Sequence, residues 1–118
     1  MPGLVTATGV LAFLADEEPE LKVFALQTLN DDIDTVWFEV ASALGQIEAL
    51  YEDESFPERK LAALVLAKVY YHLQAYDESM FFALAAGELF KLDNPGEFEE
   101  TIISKCVDHY IATKNENH

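Results

Sequence analysis

Two consecutive segments of this chain are apolar around most of the circumference of a helix. The first, predicted as a helix over Pro57–Leu73, contains the uninterrupted apolar run Leu61–Ala67. The second, predicted over Asp77–Phe90, contains the run Met80–Gly87. A helix that is apolar all round must be covered by other helices on several sides, which in a short chain means stacked layers. The pattern therefore indicates packing and carries no catalytic signal.

Polar and apolar positions elsewhere predict further helices and no convincing strand. The predicted ranges are Leu4–Ala15, Pro19–Leu29, Thr35–Tyr51 and a last helix that opens at Asn94-Pro95-Gly96-Glu97 and continues to about Ile111. Apolar residues recur at three- and four-residue spacing, which places them on one buried face. The sequence thus predicts an all-α domain over residues 1–112, with about six helices in stacked antiparallel pairs, and a polar tail over 113–118 that frays.

Two short acidic runs stand just before predicted helices. The first acidic run consists of Asp16, Glu17, Glu18 and Glu20, and the second acidic run of Glu52, Asp53 and Glu54. The first surrounds a helix N-terminus at Pro19, where the helix dipole favours negative charge. The second precedes Ser55 and Glu58, whose spacing is that of a capping box. The sequence leaves open whether either run is a partner interface or a solvated face.

A weak internal similarity appears at an offset of about 44 residues, in the range of two-helix solenoid repeats. Seven pairs of positions agree, among them Leu21 with Val65 and Trp37 with Phe81. Two pairs break the pattern, Ile33 with Asp77 and Leu44 with Glu88. Two interpretations stay open: a true repeat, or chance similarity between two pairs of amphipathic helices.

The composition narrows the class of protein. The 118 residues suffice for about one domain, and a hydrophobic content of 51% excludes general disorder. Acidic residues number 22 against 7 basic ones, which gives a net charge of −15. This charge repels phosphate backbones and anionic lipids, so neither nucleic acid nor a membrane is expected as a partner.

The cysteine content and the N-terminal segment indicate an intracellular location. Cys106 is the only cysteine, so no intrachain disulfide can form and a reducing compartment is expected. The apolar segment Leu4–Ala15 lacks a basic region and is followed at once by acidic residues, so it is predicted as a packed helix and not a signal peptide. No apolar run reaches the ~20 residues that span a bilayer. The predicted location is the cytoplasm and nucleus.

No catalytic residue, cofactor or metal site is predicted. Cys106 and His109 would share a helix face, but two ligands are too few for a structural zinc site. Counting Asp32 as the first ligand of a calcium loop puts Trp37 where the sharp turn requires glycine. The segment Asp31–Asp34 is instead predicted as a loop that caps the following helix.

The aromatic residues admit two interpretations. Trp37, Tyr70, Tyr71, Phe81 and Phe82 belong to the core or line a groove for a partner peptide, as in helical-repeat scaffolds. Adjacent aromatic residues cannot both face the same neighbour, so one of each pair should pack inward and the other toward the next layer. We therefore expect an exposed apolar face on one of the last two helices, which would favour self-association of the isolated chain.

Stretches distributed over nearly the whole chain match a known pattern. They are Leu14–Lys22, Phe24–Leu26, Glu48–Phe56, Ala62–Val65, Lys68–Leu73, Glu78–Ser79, Ala83–Phe90 and Glu100–Tyr110. These stretches strongly resemble the N-terminal region of the larger proteasome/cyclosome-repeat scaffold, a non-ATPase subunit in the base of the 26S proteasome regulatory particle. Members of that family continue into a toroid of repeats and a C-terminal region, so the sequence resembles a fragment of such a subunit.

The resemblance implies a non-catalytic scaffold at the start of an α-solenoid rod. Its implied partners are other regulatory-particle subunits, in ubiquitin-dependent protein degradation, and the two acidic runs are the candidate docking surface. The alternative is an independent tetratricopeptide-like peptide-binding adaptor, suggested by Tyr76-Asp77-Glu78-Ser79 ahead of an Ala-rich helix. Such an adaptor needs at least about three repeats, and this chain has fewer.

Overall fold

α-Helices connected by short turns make up the residues that the computed structural model describes, which are 8–90 and 96–116, with side chains described as far as residue 112. The helices are α1 (Thr8–Ala12), α2 (Pro19–Val40), α3 (Leu44–Glu52), α4 (Arg59–His72), α5 (Tyr76–Ala85) and α6 (Glu97–Glu116), and 3-10 turns lie at Phe13–Ala15, Ala41–Ala43 and Gly87–Leu89. No strand occurs in these two ranges, so the predicted all-α class is confirmed.

Some predicted helix ends differ from the observed ones. The predicted starts of the first helix at Leu4 and of the last at Asn94 lie outside the described residues. α5 ends before the predicted Phe90, because Gly87 adopts a left-handed φ of 59° and a 3-10 turn follows. The backbone of α6 remains helical past the predicted end, Ile111, as far as Glu116. The last two residues of the predicted tail, 117 and 118, also lie outside the described residues.

α2 is one continuous helix where the sequence predicted two helices and a loop. Its buried residues keep three- and four-residue spacing along its length; they are Ala25, Leu26, Leu29, Ile33, Val36 and Val40. The predicted loop Asp31–Asp34 is wrong because its aspartates lie on the exposed face of this helix while Ile33 continues the buried face. The predicted Thr35–Tyr51 helix is accordingly divided between α2 and α3. The chain bends at the intervening 3-10 turn, where the Ser42 hydroxyl donates to the Glu39 carbonyl at 2.7 Å.

The predicted capping box at the start of α4 does not form. The hydroxyl and the amide of Ser55 both donate to Asp53 Oδ1, at 2.6 and 2.9 Å. Asp53 is a charged acceptor two residues away, so it takes the hydroxyl that the capping box would need. α4 therefore begins only at Arg59, after Glu58, and no side-chain hydrogen bond caps its N-terminus.

α4 is the central element of the fold. Its residues Leu61–Ala67 are all buried. α2, α3 and α5 pack against it, and α6 packs against α5 and reaches α4 through a cluster of Ala67, Ala83 and Ile102. α1 packs against α2 at the other end. The antiparallel stacking that the all-round apolar pattern predicted is confirmed.

Backbone hydrogen bonds reverse the chain between α4 and α5. Gln74 adopts a left-handed φ of 62°. The Ala75 amide donates to the Tyr70 carbonyl at 2.9 Å, and the Gln74 amide donates to the Tyr71 carbonyl at 3.0 Å. This pair of bonds is a Schellman motif, which satisfies the last carbonyls of α4. It places α5 antiparallel to α4.

The structure does not support a true internal repeat. Residues 21–40 lie in the single helix α2, whereas the aligned residues 65–84 span the end of α4, the chain reversal and most of α5. The two stretches share amphipathic spacing but not secondary structure. Chance similarity is the interpretation that remains.

Candidate interaction surfaces

The first acidic run lies between the first 3-10 turn and α2. Glu17, Glu18 and Glu20 are exposed, whereas Asp16 is half-buried. Asp16 Oδ1 accepts a hydrogen bond from the Glu18 amide at 2.9 Å, just before Pro19 begins α2. Asp16 therefore shapes the turn, and the three glutamates form a solvent-facing cluster.

The second acidic run lies at the end of α3 and in the turn that follows. Glu52, Asp53 and Glu54 are all exposed. The hydrogen bonds from the Ser55 side chain and amide hold the pKa of Asp53 below its usual value. Asp53 therefore has a structural role in the turn. Glu52 and Glu54 face solvent and have no such role.

The fold brings the start of α2 near the end of α3. After the Ser55 hydrogen bonds, the positive charge of Lys22 also contributes to the lowered pKa of Asp53. The 3-10 turn Phe13–Ala15, which precedes the first acidic run, packs against α3. The two runs are distant in sequence but border neighbouring elements, and their role in binding remains a prediction.

The residues considered for catalysis or metal binding do not form a constellation. Cys106 is a free, half-buried thiol packed against Ile102, and its burial raises the pKa of the thiol, which is the opposite of nucleophile activation. His109 is exposed. Within residues 8–90 and 96–116, no group of three or more His, Cys, Asp or Glu side chains is placed to hold a metal ion. No helix in that part of the chain is long and apolar enough to cross a membrane.

One aspartate of the segment Asp31–Asp34 makes a contact between two helices. Asp34 Oδ1 lies 3.0 Å from Nε2 of His72, at the end of α4. The His72 ring stacks on Trp37 with a centroid distance of 5.3 Å. A calcium loop must wrap around its ion, and the helical backbone from Asp31 to Asp34 cannot do so.

Exposed apolar strips run along the last two helices. The α5 strip consists of Phe81 and Leu84, which are 57% and 62% exposed. The α6 strip consists of Ile103, Val107, Tyr110 and Ile111. Their spacing places them on one side of α6, while the neighbouring Ile102 is fully buried on another. The predicted exposed apolar face at this end of the chain is confirmed.

Phe82 is the centre of an aromatic cluster between α3, α4 and α5. Its ring stacks on Tyr70, with centroids 5.8 Å apart, and meets Tyr51 and Phe81 edge-on at 5.5 and 5.0 Å. Phe82 is half-buried and Phe81 is exposed, so one member of this pair packs inward, as predicted. The Tyr70 hydroxyl donates to Glu48, and burial together with this bond raises the pKa of Tyr70 to about 12.

A shallow, open cleft of about 390 Å³ lies beside this cluster. It is lined by Glu48, Tyr70, Asp77, Glu78, Phe81 and Phe82. Trp37 and Tyr71, the other aromatic residues considered for a groove, do not line it, because Trp37 stacks on His72 and Tyr71 meets Phe98 edge-on at 5.3 Å. The structure thus gathers three of the five proposed groove residues.

A second cleft, of about 370 Å³, was not predicted. It lies between α2, α4 and the start of α6, and Lys68 and Tyr71 are among its lining residues. Lys68 Nζ donates to Asn30 Oδ1 at 2.8 Å, and burial lowers the pKa of this amine despite nearby carboxylates. The spacing of residues along the chain could not predict this cleft, because its lining residues come from three helices far apart in sequence.

Comparisons with known proteins all identify the same family. Residues 5–118 match the family model of the 26S proteasome subunit RPN2, N-terminal domain. The chain is 45% identical over 113 residues to the 26S proteasome non-ATPase regulatory subunit 1 of Drosophila melanogaster, over 96% of this chain and 11% of the fly protein. It is 46% identical over 108 residues to the 26S proteasome regulatory subunit rpn2 of Schizosaccharomyces pombe, over 92% of this chain and 11% of that protein.

A plant relative extends the same comparison. The 26S proteasome non-ATPase regulatory subunit 1 homolog A of Arabidopsis thaliana is 38% identical over 116 residues, over 97% of this chain and 12% of the relative. The chain thus spans only 11% to 12% of the length of these relatives. Their names describe regulatory, non-ATPase subunits, which agrees with the prediction that the chain is not an enzyme. This chain belongs to the family of the 26S proteasome subunit RPN2 and corresponds to its N-terminal domain.

Proposed function

We propose that this chain is a non-catalytic scaffold segment of the proteasome regulatory particle, where it supports assembly and subunit docking in ubiquitin-dependent protein degradation. The observation that carries the proposal is the family match over residues 5–118. The interior is consistent with it, since Ser79 is the one buried polar residue in the described part of the chain, and its hydroxyl donates to the Ala67 carbonyl at 2.6 Å. An apolar interior of this kind maintains a shape, which a scaffold requires.

In this proposal the partners are other regulatory-particle subunits. The relatives are named as subunits of the 26S proteasome, which supports such partners. The solvent-facing glutamates of the two acidic runs are the candidate contacts, and they suit basic surfaces on neighbouring subunits. The net charge of −15 disfavours nucleic acid and anionic membranes. The chain would act in the cytoplasm and nucleus, where the proteasome degrades its substrates.

Affinity capture from a reducing cell lysate tests this role. The 118-residue chain serves as bait, and mass spectrometry identifies the bound proteins. We expect regulatory-particle subunits to be enriched. The double variants Glu17→Gln with Glu18→Gln, and Glu52→Gln with Glu54→Gln, should reduce that enrichment because they remove exposed charge from the acidic runs.

A matched variant distinguishes the effect of the acidic runs on capture from the effect of the overall charge. Asp32→Asn with Glu100→Gln removes the same charge from exposed positions outside the runs and should retain the bound subunits. An equal loss with this variant would show that net charge, and not the runs, governs capture. Failure to enrich any regulatory-particle subunit would contradict a docking role for this segment.

The described helices do not supply the repeats that the tetratricopeptide-like alternative requires, although α4 and α5 form one antiparallel pair. A tetratricopeptide repeat is a pair of helices in 34 residues or so. α2 alone has 22 residues and continues without a break where a repeat would turn. We therefore do not retain this alternative.

We also propose that the isolated chain self-associates through the α6 strip. The strip presents large apolar side chains along one side of a helix, and a second copy can cover them. In a longer protein, other helices can occupy the same position.

A further inference from the structure

The cleft beside Phe82 is formed by elements that hold it open. α3 and α5 each pack against α4. Glu48 of α3 lines one wall, Tyr70 of α4 lies between, and Asp77 and Phe81 of α5 are among the residues of the other wall. Since all three helices belong to the packed body of the fold, the cleft has a defined shape without a ligand.

The apolar part of the cleft is exposed, but neighbouring aromatic rings hold it in place. Phe81 is 57% exposed, yet its ring lies edge-on against Phe82, which Tyr70 and Tyr51 contact in turn. An aromatic side chain that its neighbours already orient loses little conformational entropy when a partner covers it. Leu84 lies one helical turn beyond Phe81 on the same face and extends the apolar strip.

The charged side chains that line the cleft are all acidic. Glu48, Asp77 and Glu78 line the cleft, and no Lys or Arg is among its described lining residues. The hydrogen bond from the Tyr70 hydroxyl orients the Glu48 carboxylate on the wall opposite the two α5 carboxylates. A ligand that covers the cleft must therefore compensate negative charge on both sides of an apolar floor.

We propose that this cleft docks a basic amphipathic helix of a partner protein. One apolar side chain of that helix packs against Phe81 and Phe82, and flanking Arg or Lys side chains pair with Glu48 on one wall and Asp77 and Glu78 on the other. A purely apolar helix would desolvate the carboxylates without compensation, and a purely basic one would leave Phe81 exposed. The inference rests on the proposed scaffold role and deepens it by naming the chemistry of one partner.

A designed peptide provides the direct test. The probe is a fluorescein-labelled helical peptide with a stripe of Leu between two rows of Arg, titrated with the 118-residue chain and followed by fluorescence anisotropy. We expect saturable binding that weakens with added salt. Replacing the Leu stripe by Ala, or the Arg rows by Glu, should weaken binding at least about tenfold.

Paired protein variants locate the binding site. Phe81→Ala and the double variant Asp77→Asn with Glu78→Gln should each weaken binding about tenfold. Phe38→Ala is the matched aromatic control, because Phe38 is 61% exposed on α2, away from the cleft. Asp32→Asn with Glu100→Gln is the matched charge control, because both side chains are exposed and neither lines the cleft. Both controls should change affinity by less than about twofold.

Several outcomes would overturn the proposal. Absence of saturable binding would do so, and so would equal losses in the cleft variants and their controls, which would indicate diffuse attraction to the net charge of −15. Thermal unfolding checks that the Phe81→Ala variant is folded. If that variant is unfolded, the double variant of Asp77 and Glu78 tests the site instead, because both of these side chains are exposed. A chain that captures regulatory-particle subunits but does not bind the peptide would contradict the cleft proposal and leave the scaffold role intact.

Discussion

At the scale of single residues, Ser79 connects α5 to α4 by a hydrogen bond inside the core. Its side chain is fully buried, and its hydroxyl donates to the Ala67 carbonyl at 2.6 Å. Ser79→Ala removes this bond, so the free energy of unfolding in urea should fall by about 1 kcal/mol. Ser104→Ala, an exposed control on α6, should change it by less than ~0.5 kcal/mol. Equal losses in the two variants would show that the buried bond contributes nothing.

Tyr70 gives a pH-dependent measure of the contact between α3 and α4. Burial, and then the hydrogen bond to Glu48, raise the pKa of its phenol from 10.0 to about 12. The folded state favours the neutral phenol, so this stabilisation is complete below pH 10.0 and is lost as the pH rises through about 12. An NMR titration of ring-labelled tyrosine should show this ionisation, and Glu48→Gln should lower the pKa only in part. Ionisation of the unchanged Tyr70 near 10.0 would contradict the contact.

Side-chain partners were only partly predictable from the sequence. The spacing of Ser55 and Glu58 satisfied the capping-box pattern, but the pattern did not include Asp53, which competes for the same hydroxyl. The inward Phe82 and outward Phe81 were predictable as alternatives, because two adjacent residues on a helix point in different directions. Periodicity alone could not say which of the two lies inward.

At the scale of elements, the continuity of α2 is directly testable. Asp32 lies in the middle of this helix, on its exposed face. Asp32→Pro removes a backbone hydrogen bond and introduces a clash with the preceding turn, so it should destabilise the fold by about 3 kcal/mol or more. A loop at this position would accept proline at little cost. Urea unfolding distinguishes the two cases.

Glu54→Pro is the matched control for that substitution. Glu54 is also an exposed acidic residue, but it lies inside the turn that the Phe56 amide closes on the Asp53 carbonyl at 3.0 Å. Proline is favoured at this second turn position, so the expected change in unfolding free energy is within ~0.5 kcal/mol. Similar losses for both proline variants would be incompatible with an unbroken α2.

Elements were predictable where their apolar pattern was unambiguous. The run Leu61–Ala67 is apolar all round, and α4 is accordingly the enclosed helix. In α2, the aspartates on either side of Ile33 resembled a polar break, although Leu29, Ile33 and Val36 keep helical spacing through it. Polar residues on an exposed face and polar residues in a loop look alike over a few positions, so the longer period is the better guide.

At the scale of the whole molecule, the α6 strip should control self-association. Val107 and Tyr110 are 50% and 62% exposed on it. Light scattering at high protein concentration should show dimers, and added salt should favour them, because it screens the repulsion between chains of net charge −15. Val107→Glu should restore the monomer by placing a charge in the apolar contact.

Ala112→Glu is the control for charge alone. Ala112 is exposed on the same helix, and no member of the α6 strip lies three or four residues from it, so it is on another face. The variant adds the same charge and should still form dimers. A clean monomer mass for the unchanged chain at high concentration and high salt would contradict self-association.

The clefts show the limit of local patterns at this scale. Glu48, Tyr70 and Phe82 lie on different helices and meet only when α3 and α5 pack against α4. Each has an ordinary place in its own helix, so no spacing in the sequence marks the site. Predicting it requires the arrangement of the helices and not only their existence.

The enclosure of α4 also determines how the domain opens. The Val65 amide can exchange its hydrogen only when neighbouring helices come away, so its exchange rate should report the stability of the whole domain. The amide of Val107 lies in α6, which packs mainly against α5, and should exchange through detachment of that helix alone. Faster exchange at Val107 than at Val65 would show that the last helix can detach while the centre of the domain stays folded.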